Sequence, residues 1–136
     1  MTRSYRCFVP GIPAPQGSKR HVGKGRMVES SKELGPWRAQ VALAVHSLGW
    51  PLHEGAVGVD LMFVMPRPKS TPKSKTPPAT RRPDADKLAR AILDAVTGVV
   101  FSDDSQVIDL RSRKRLARIG EVPGVAIHIF EPEEDL

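Results

Sequence analysis

With one cysteine, Cys7, among its 136 residues, this chain has no internal disulfide, no zinc knuckle and no CxxC redox pair. Cys7 reads as a small apolar strand residue. No apolar run approaches the roughly 20 residues that span a bilayer, so no membrane partner is expected. The opening MTRSYRCFVPG lacks a signal-peptide core before its first proline and glycine, and a cytoplasmic location is the expectation. His21, His46, His53 and His128 show no HxxxH or HxH spacing, which leaves them as core or surface residues rather than metal ligands. There is no internal repeat.

What is present suits one globular domain spanning 1–136, since 40% of residues are hydrophobic and 26% charged. The net charge is +6, with the cations clustered and the acids gathered in an aspartate segment and in an acidic tail at about 131–136. That asymmetry points to a nucleic-acid partner, the alternative being a basic protein that is merely soluble.

Tyr5–Val9 alternates like a strand, and Pro10, Gly11, Pro13, Pro15 and Gly17 then predict a long irregular loop. Leu34, Trp37, Val41, Ala44, Val45 and Leu48 recur at helical spacing before Gly49. Ser30 with Glu33 fits a capping box for this first helix, and Gly35-Pro36 fits a later start. Gly55–Met65 carries Val57, Val59, Leu61, Phe63 and Met65 on one face of a strand. Then PRPKSTPKSKTPPATRR, with six basic residues, five prolines and no acid, predicts a mobile basic loop at about 66–82. A second helix is expected over about Asp84–Thr97, with Leu88, Ala91, Ile92, Ala95 and Val96 buried and Gly98 ending it. A polar turn at Ser102–Ser105 and strands around Val107–Leu116 and Val125–Phe130 complete an α+β, two-layer fold, its mixed sheet carrying two main helices on one face.

The chemistry concentrates in RRPDADKLARAILDAVTGVVFSDDSQ, Arg81–Gln106. Carboxylates set among lysines and arginines suit Mg²⁺-dependent phosphodiester chemistry, because the metal prefers oxygen ligands and the cations hold the polyanion. Each acid also has a plainer reading. Asp84 can cap the helix, Asp86 can complement its dipole, and Asp103 and Asp104 can form the turn. A short connection from helix to turn lets the DDS turn fold back and bring Asp104 near Asp84 and Asp86. Asp86, Arg90 and Asp94 recur at i, i+4 and i+8 on the polar face, so Asp94 can pair with Arg90.

RRPDAD, Arg90, Asp94, Gly98 and DDSQ together resemble the RusA-type Holliday junction resolvases, small dimeric Mg²⁺-dependent endonucleases of phage and prophage origin. The proline-rich opening strand, the loop GSKRHVGKGR and the helix bearing Trp37 extend the likeness over roughly Tyr5–Arg115. The resemblance implies that Asp84, Asp86 and Asp104 are catalytic metal ligands for Mg²⁺, with Mn²⁺ as a possible substitute. Arg90 stands where the family usually has a catalytic lysine, and Lys87 where an asparagine commonly follows the second aspartate. Arginine neutralises phosphate oxygens but does not release a proton near neutral pH. Asp94 and Asp103 are supporting residues.

Three basic groups are candidates for the DNA backbone: Lys19, Arg20, Lys24 and Arg26; then Arg67, Lys69, Lys73, Lys75, Arg81, Arg82 and neighbouring Lys87; then Arg111, Arg113, Lys114, Arg115 and Arg118. Such contacts give affinity without sequence readout. The expected activity is a structure-selective endodeoxyribonuclease that resolves four-way DNA junctions by paired nicks, and symmetric nicking calls for a homodimer. The rival readings are a non-catalytic protein that binds branched DNA and a Mg²⁺-dependent nuclease for other branched substrates.

Overall fold

The computed structural model describes residues 3–17, 19–21, 27–29 and 32–133, the segments 19–21 and 27–29 as backbone only. Alternation in Val57–Met65 makes the strand that everything else packs around. This strand, β4, lies inside a four-stranded sheet of order β1-β6-β4-β5, formed with β1 (Ser4–Pro10), β5 (Val107–Leu116) and β6 (Gly124–Phe130). β6 runs antiparallel to both β1 and β4, whereas β4 and β5 are parallel. The sheet is therefore mixed, with β1 and β5 at its edges. Pro10, which cannot donate to a ladder, is tolerated at the end of an edge strand.

A parallel pair needs a crossover, and here it is the segment 66–83 followed by helix α2 (Ala85–Val96). Leu88, Ala89, Ala91, Ile92, Ala95 and Val96 form the buried stripe of α2, and Gly98 at φ 83° supplies the left-handed residue that turns the chain out. Helix α1 (Leu34–His46) buries Leu34, Trp37, Val41 and Val45, with Pro36 in the first turn, where a missing N–H breaks no helical bond. Leu48, expected in that stripe, lies beyond the helix end and is exposed. Both helices cover one face of the sheet. Val57, Val59, Leu61 and Phe63 of β4 and Val125, Ile127 and Ile129 of β6 join the helix stripes in a single core. Leu61 and Phe63, each fully buried, contribute about 1.5–3 kcal/mol apiece by leaving water.

On the opposite face the Phe130 ring lies across Gly58, where a Cβ would come within 2.3 Å of it. Two three-residue strands, β2 (Lys19–His21) and β3 (Met27–Glu29), pair antiparallel where an irregular loop was expected. Runs this short carry too little alternation to be read from sequence. No helix among the described residues is long and apolar enough to cross a membrane.

Candidate active site

Asp84 is the N-cap of α2 and Asp86 sits in its first turn. Both are exposed. The Asp84 side chain makes no capping hydrogen bond, so its carboxylate is not consumed by the helix end, and its ionic contact is Lys87 Nζ at 3.9 Å. The backbone around it is held from outside. Lys114 Nζ on β5 donates to the carbonyls of Arg81 (2.7 Å) and Pro83 (2.8 Å), and Ser112 Oγ donates to that of Ala85 (2.8 Å). Gln16 N–H reaches the Lys87 carbonyl at 2.9 Å. The two carboxylates thus project from a helix start fastened to the sheet.

Arg90 lies one turn further along, exposed, with no ion pair among the described residues. The expected Arg90–Asp94 pair does not form. Asp94 instead faces Arg38 of α1 at 3.6 Å, an exposed interhelical pair worth at most about 1 kcal/mol.

The DDSQ turn is built differently. Asp103 is the N-cap of a 3-10 turn over Asp104–Gln106, its Oδ1 accepting from Ser105 N–H at 2.9 Å. That bond, ahead of lesser ones, holds the Asp103 carboxyl below the usual carboxylate range. Gln106 Oε1 accepts from the N–H groups of Ser102 and Asp103, and its Nε2 donates to the carbonyls of His53 and Gly55. Asp103 is accordingly structural, while Asp104 is exposed. Sequence reasoning counted Gln106 within the DDSQ motif but gave it no structural role, although an Asp followed three residues later by Gln is the capping-box pattern.

The structure does not bring Asp104 beside Asp84 and Asp86. The start of α2 is fastened to Ser112, well along β5, and Asp104 precedes the first residue of that strand. Seven residues of turn and strand separate Asp104 from Ser112, about 20 Å at the usual rises. Among the described residues no three His, Cys, Asp or Glu side chains gather closely enough to hold a metal. The predicted fold-back fails because α2 runs antiparallel to both β4 and β5, so the turn that follows it lies at its far end. Carboxylate oxygens remain the donors that Mg²⁺ prefers, and one or two carboxylates with substrate phosphates suffice for many Mg²⁺ sites. The Asp84–Asp86 pair supplies carboxylate donors of this kind at the start of α2.

The cations divide by role. Lys69, Lys73, Lys75, Arg81 and Arg82 are exposed around the loop, and Lys87 is half-buried beside Asp84. Arg67 points inward: its guanidinium donates to Thr76 Oγ1 (2.9 Å) and to the carbonyls of Pro72 (2.6 Å), Lys75 and Ala117, tying the 66–82 segment to itself and to the sheet. Arg111 and Arg113 lie on the sheet face away from α2, with Arg113 paired to Asp60 at 3.3 Å. Arg115 forms a two-pronged pair with Glu121. Arg67, Lys114 and Arg115 are thus occupied within the fold. Lys24 and Arg26, the side chains of Lys19 and Arg20, and the Ser30 cap lie outside the described residues. A groove of about 1200 Å³ opens beside Asp84 and Lys87, between the segment following β1 and the proline-rich loop.

Comparison with known proteins places the chain in a family. Uncharacterized protein YqaN of Bacillus subtilis (strain 168) is 31% identical over 128 residues, covering 86% of each chain. The profile of the endodeoxyribonuclease RusA family matches residues 10–130. A basic α+β chain with unspent carboxylates at a helix start, matched over nearly its whole length, belongs to the RusA endodeoxyribonuclease family.

Proposed function

We propose that the protein is a Mg²⁺-dependent endonuclease that resolves four-way DNA junctions by paired nicks, acting as a homodimer whose metal sites draw on both copies. The observation that carries this reading is the division of the acids: Asp84 and Asp86 at one end of α2, Asp104 at the other, all exposed. Two exposed aliphatic residues of the edge strand, Ile108 and Leu110, favour a second copy as the remedy. Antiparallel pairing of two β5 edges centred near Ile108 would bring the Asp104–Gln106 turn of one copy, which lies just before its β5, toward the Ser112 end of the other. Ser112 is the residue that holds Ala85, so the third carboxylate arrives beside the first two. Twofold pairing generates two such sites, as paired nicks require.

In this reading Asp84 and Asp86 would hold the ion with Asp104 of the second copy, and Arg90 would neutralise oxygens of the scissile phosphate. Bound there, Mg²⁺ would supply Lewis-acid chemistry, lowering the pKa of a bound water and offsetting negative charge at the phosphate. Lys87, Arg81 and Arg82 position the backbone.

The test is cleavage of an end-labelled four-way junction beside a linear duplex of the same sequence, with Mg²⁺, Mn²⁺ or EDTA. Symmetric metal-dependent nicks on the junction alone are expected. Asp86→Asn should lower cutting more than about a hundredfold, beyond the usual cost of losing an outer partner of a metal site, with junction binding retained. Tight binding without cutting in both proteins would leave a non-catalytic binder, and equal cutting of flaps would broaden the substrate.

A further inference from the structure

We propose that the groove beside the start of α2 receives an unpaired nucleotide of the branched DNA, its base against the apolar lining and its phosphate toward the Asp84–Lys87 end. This rests on the branched-DNA reading above and specifies how that substrate is engaged. The groove has two kinds of surface. The ends of the parallel strands β4 and β5 contribute Met65 and Leu116, while Pro13 on one side and Pro77 and Pro78 on the other supply further apolar area. At one end stand Arg81, Arg82 and Lys87 beside Asp84.

Charge and polarity decide the occupant. The outside of a duplex offers phosphates and hydrated groove edges, which have no reason to dry a lining of proline, methionine and leucine. The face of an unstacked base does, and the cost of exposing one is least where pairing is already interrupted, as at a strand crossover. Binding of single-stranded nucleic acid ordinarily combines a cationic track with flat apolar platforms; here the cations lie at one end and proline rings serve as platforms. At about 1200 Å³ the space exceeds the 300–1,000 Å³ typical of small-ligand pockets, leaving room for a nucleoside with its flanking phosphates. Ser70, Thr71 and Thr80 add hydroxyl-bearing residues to the lining.

The cleft is also preformed. Arg67 ties the loop that makes one wall, and Lys114 fixes the turn that leads into Asp84. Little ordering is then left for the moment of binding.

The experiment uses four-way junctions carrying 2-aminopurine, one position at a time, on either side of each crossover, bound by the full chain with Asp86→Asn so that no cutting intervenes. Fluorescence should rise at one flanking position on saturating protein, because the base leaves its stack for a lining without aromatic quenchers, and stay flat in a linear duplex. Ala79→Trp, which fills the groove from its loop wall, should abolish the rise and reduce cutting in the otherwise wild-type chain. A flat signal at every position of a bound junction, or a rise that survives Ala79→Trp, overturns the groove as a nucleotide site while leaving the junction reading intact. Failure of the wild-type chain to prefer the junction to duplex removes the branched-DNA reading and this one with it.

Discussion

Lys114 sits in a run of four basic residues, RSRKR, yet its ammonium is turned inward to the carbonyls of Arg81 and Pro83. Strand alternation accounts for this: Lys114 shares the helix-facing side of β5 with Ser112 and Leu116, whereas Arg111, Arg113 and Arg115 share the other. The period of two was available in the sequence, and applied strictly it separates Lys114 from the surface cations. Its position makes Lys114 a positioning residue for Asp84. Lys114→Met should leave junction affinity within a few-fold, lower cutting by about 10–100-fold and raise the Mg²⁺ concentration for half-maximal rate. Titrating Mg²⁺ in the cleavage assay checks this, since a role in phosphate contact predicts weaker binding and an unchanged metal requirement. Arg90 and Asp94 show the reverse limit: helical spacing made them candidate partners, but Asp94 has the interhelical partner Arg38, which no single-helix rule can reveal.

Among the elements, those with long periodic patterns were legible and those fixed by side-chain clasps were not. Both helices and the strands β1, β4, β5 and β6 appear where the hydrophobic spacing puts them, to within a few residues at their ends. The 66–82 segment reads as an extended coil from composition, because prolines and lysines cannot form a core. Its organisation comes from one arginine reaching across to Pro72, Lys75 and Thr76, a tertiary fact without a periodic signature.

The connection from β5 to β6 has a similar clasp, with a consequence for pH. The Arg115 guanidinium, followed by the Arg118 N–H, holds the Glu121 carboxyl down at about 2 from its ordinary 4.5. A depressed carboxyl stabilises the fold fully above its unfolded value and loses that contribution as pH falls through the folded one. In urea titrations the wild-type chain should therefore exceed Glu121→Gln in midpoint at pH 7. The gap should narrow between about pH 4.5 and pH 2 and be gone below that. A gap independent of pH would mean that shape, not charge, makes the contact.

For the molecule as a whole, fold class and family were readable from the motifs, but the site's assembly was not. Strand, helix and strand in succession, with the strands paired in parallel, place the start of the helix and the start of the following strand at opposite ends. Asp84 and Asp104 are therefore divided by the topology itself. The strand pairing that decides this is not encoded in the local pattern. Ile108→Glu tests the proposed remedy. The residue is 55% exposed, so the fold should survive by circular dichroism, while sedimentation shifts from dimer to monomer and junction cutting is lost. A cutting monomer would return the whole metal site to one chain.

The division of the acids along α2 also bears on when the protein acts. On the proposed dimeric reading, a chain that holds only part of its metal site would be harmless to DNA while it is scarce. Below the dissociation constant of the pair, the population of complete sites grows with the square of the amount of protein, so a modest rise in expression turns activity on steeply. Nuclease action would then follow gene dosage with a threshold, and newly made chains would pass through synthesis and folding without a competent cutting centre.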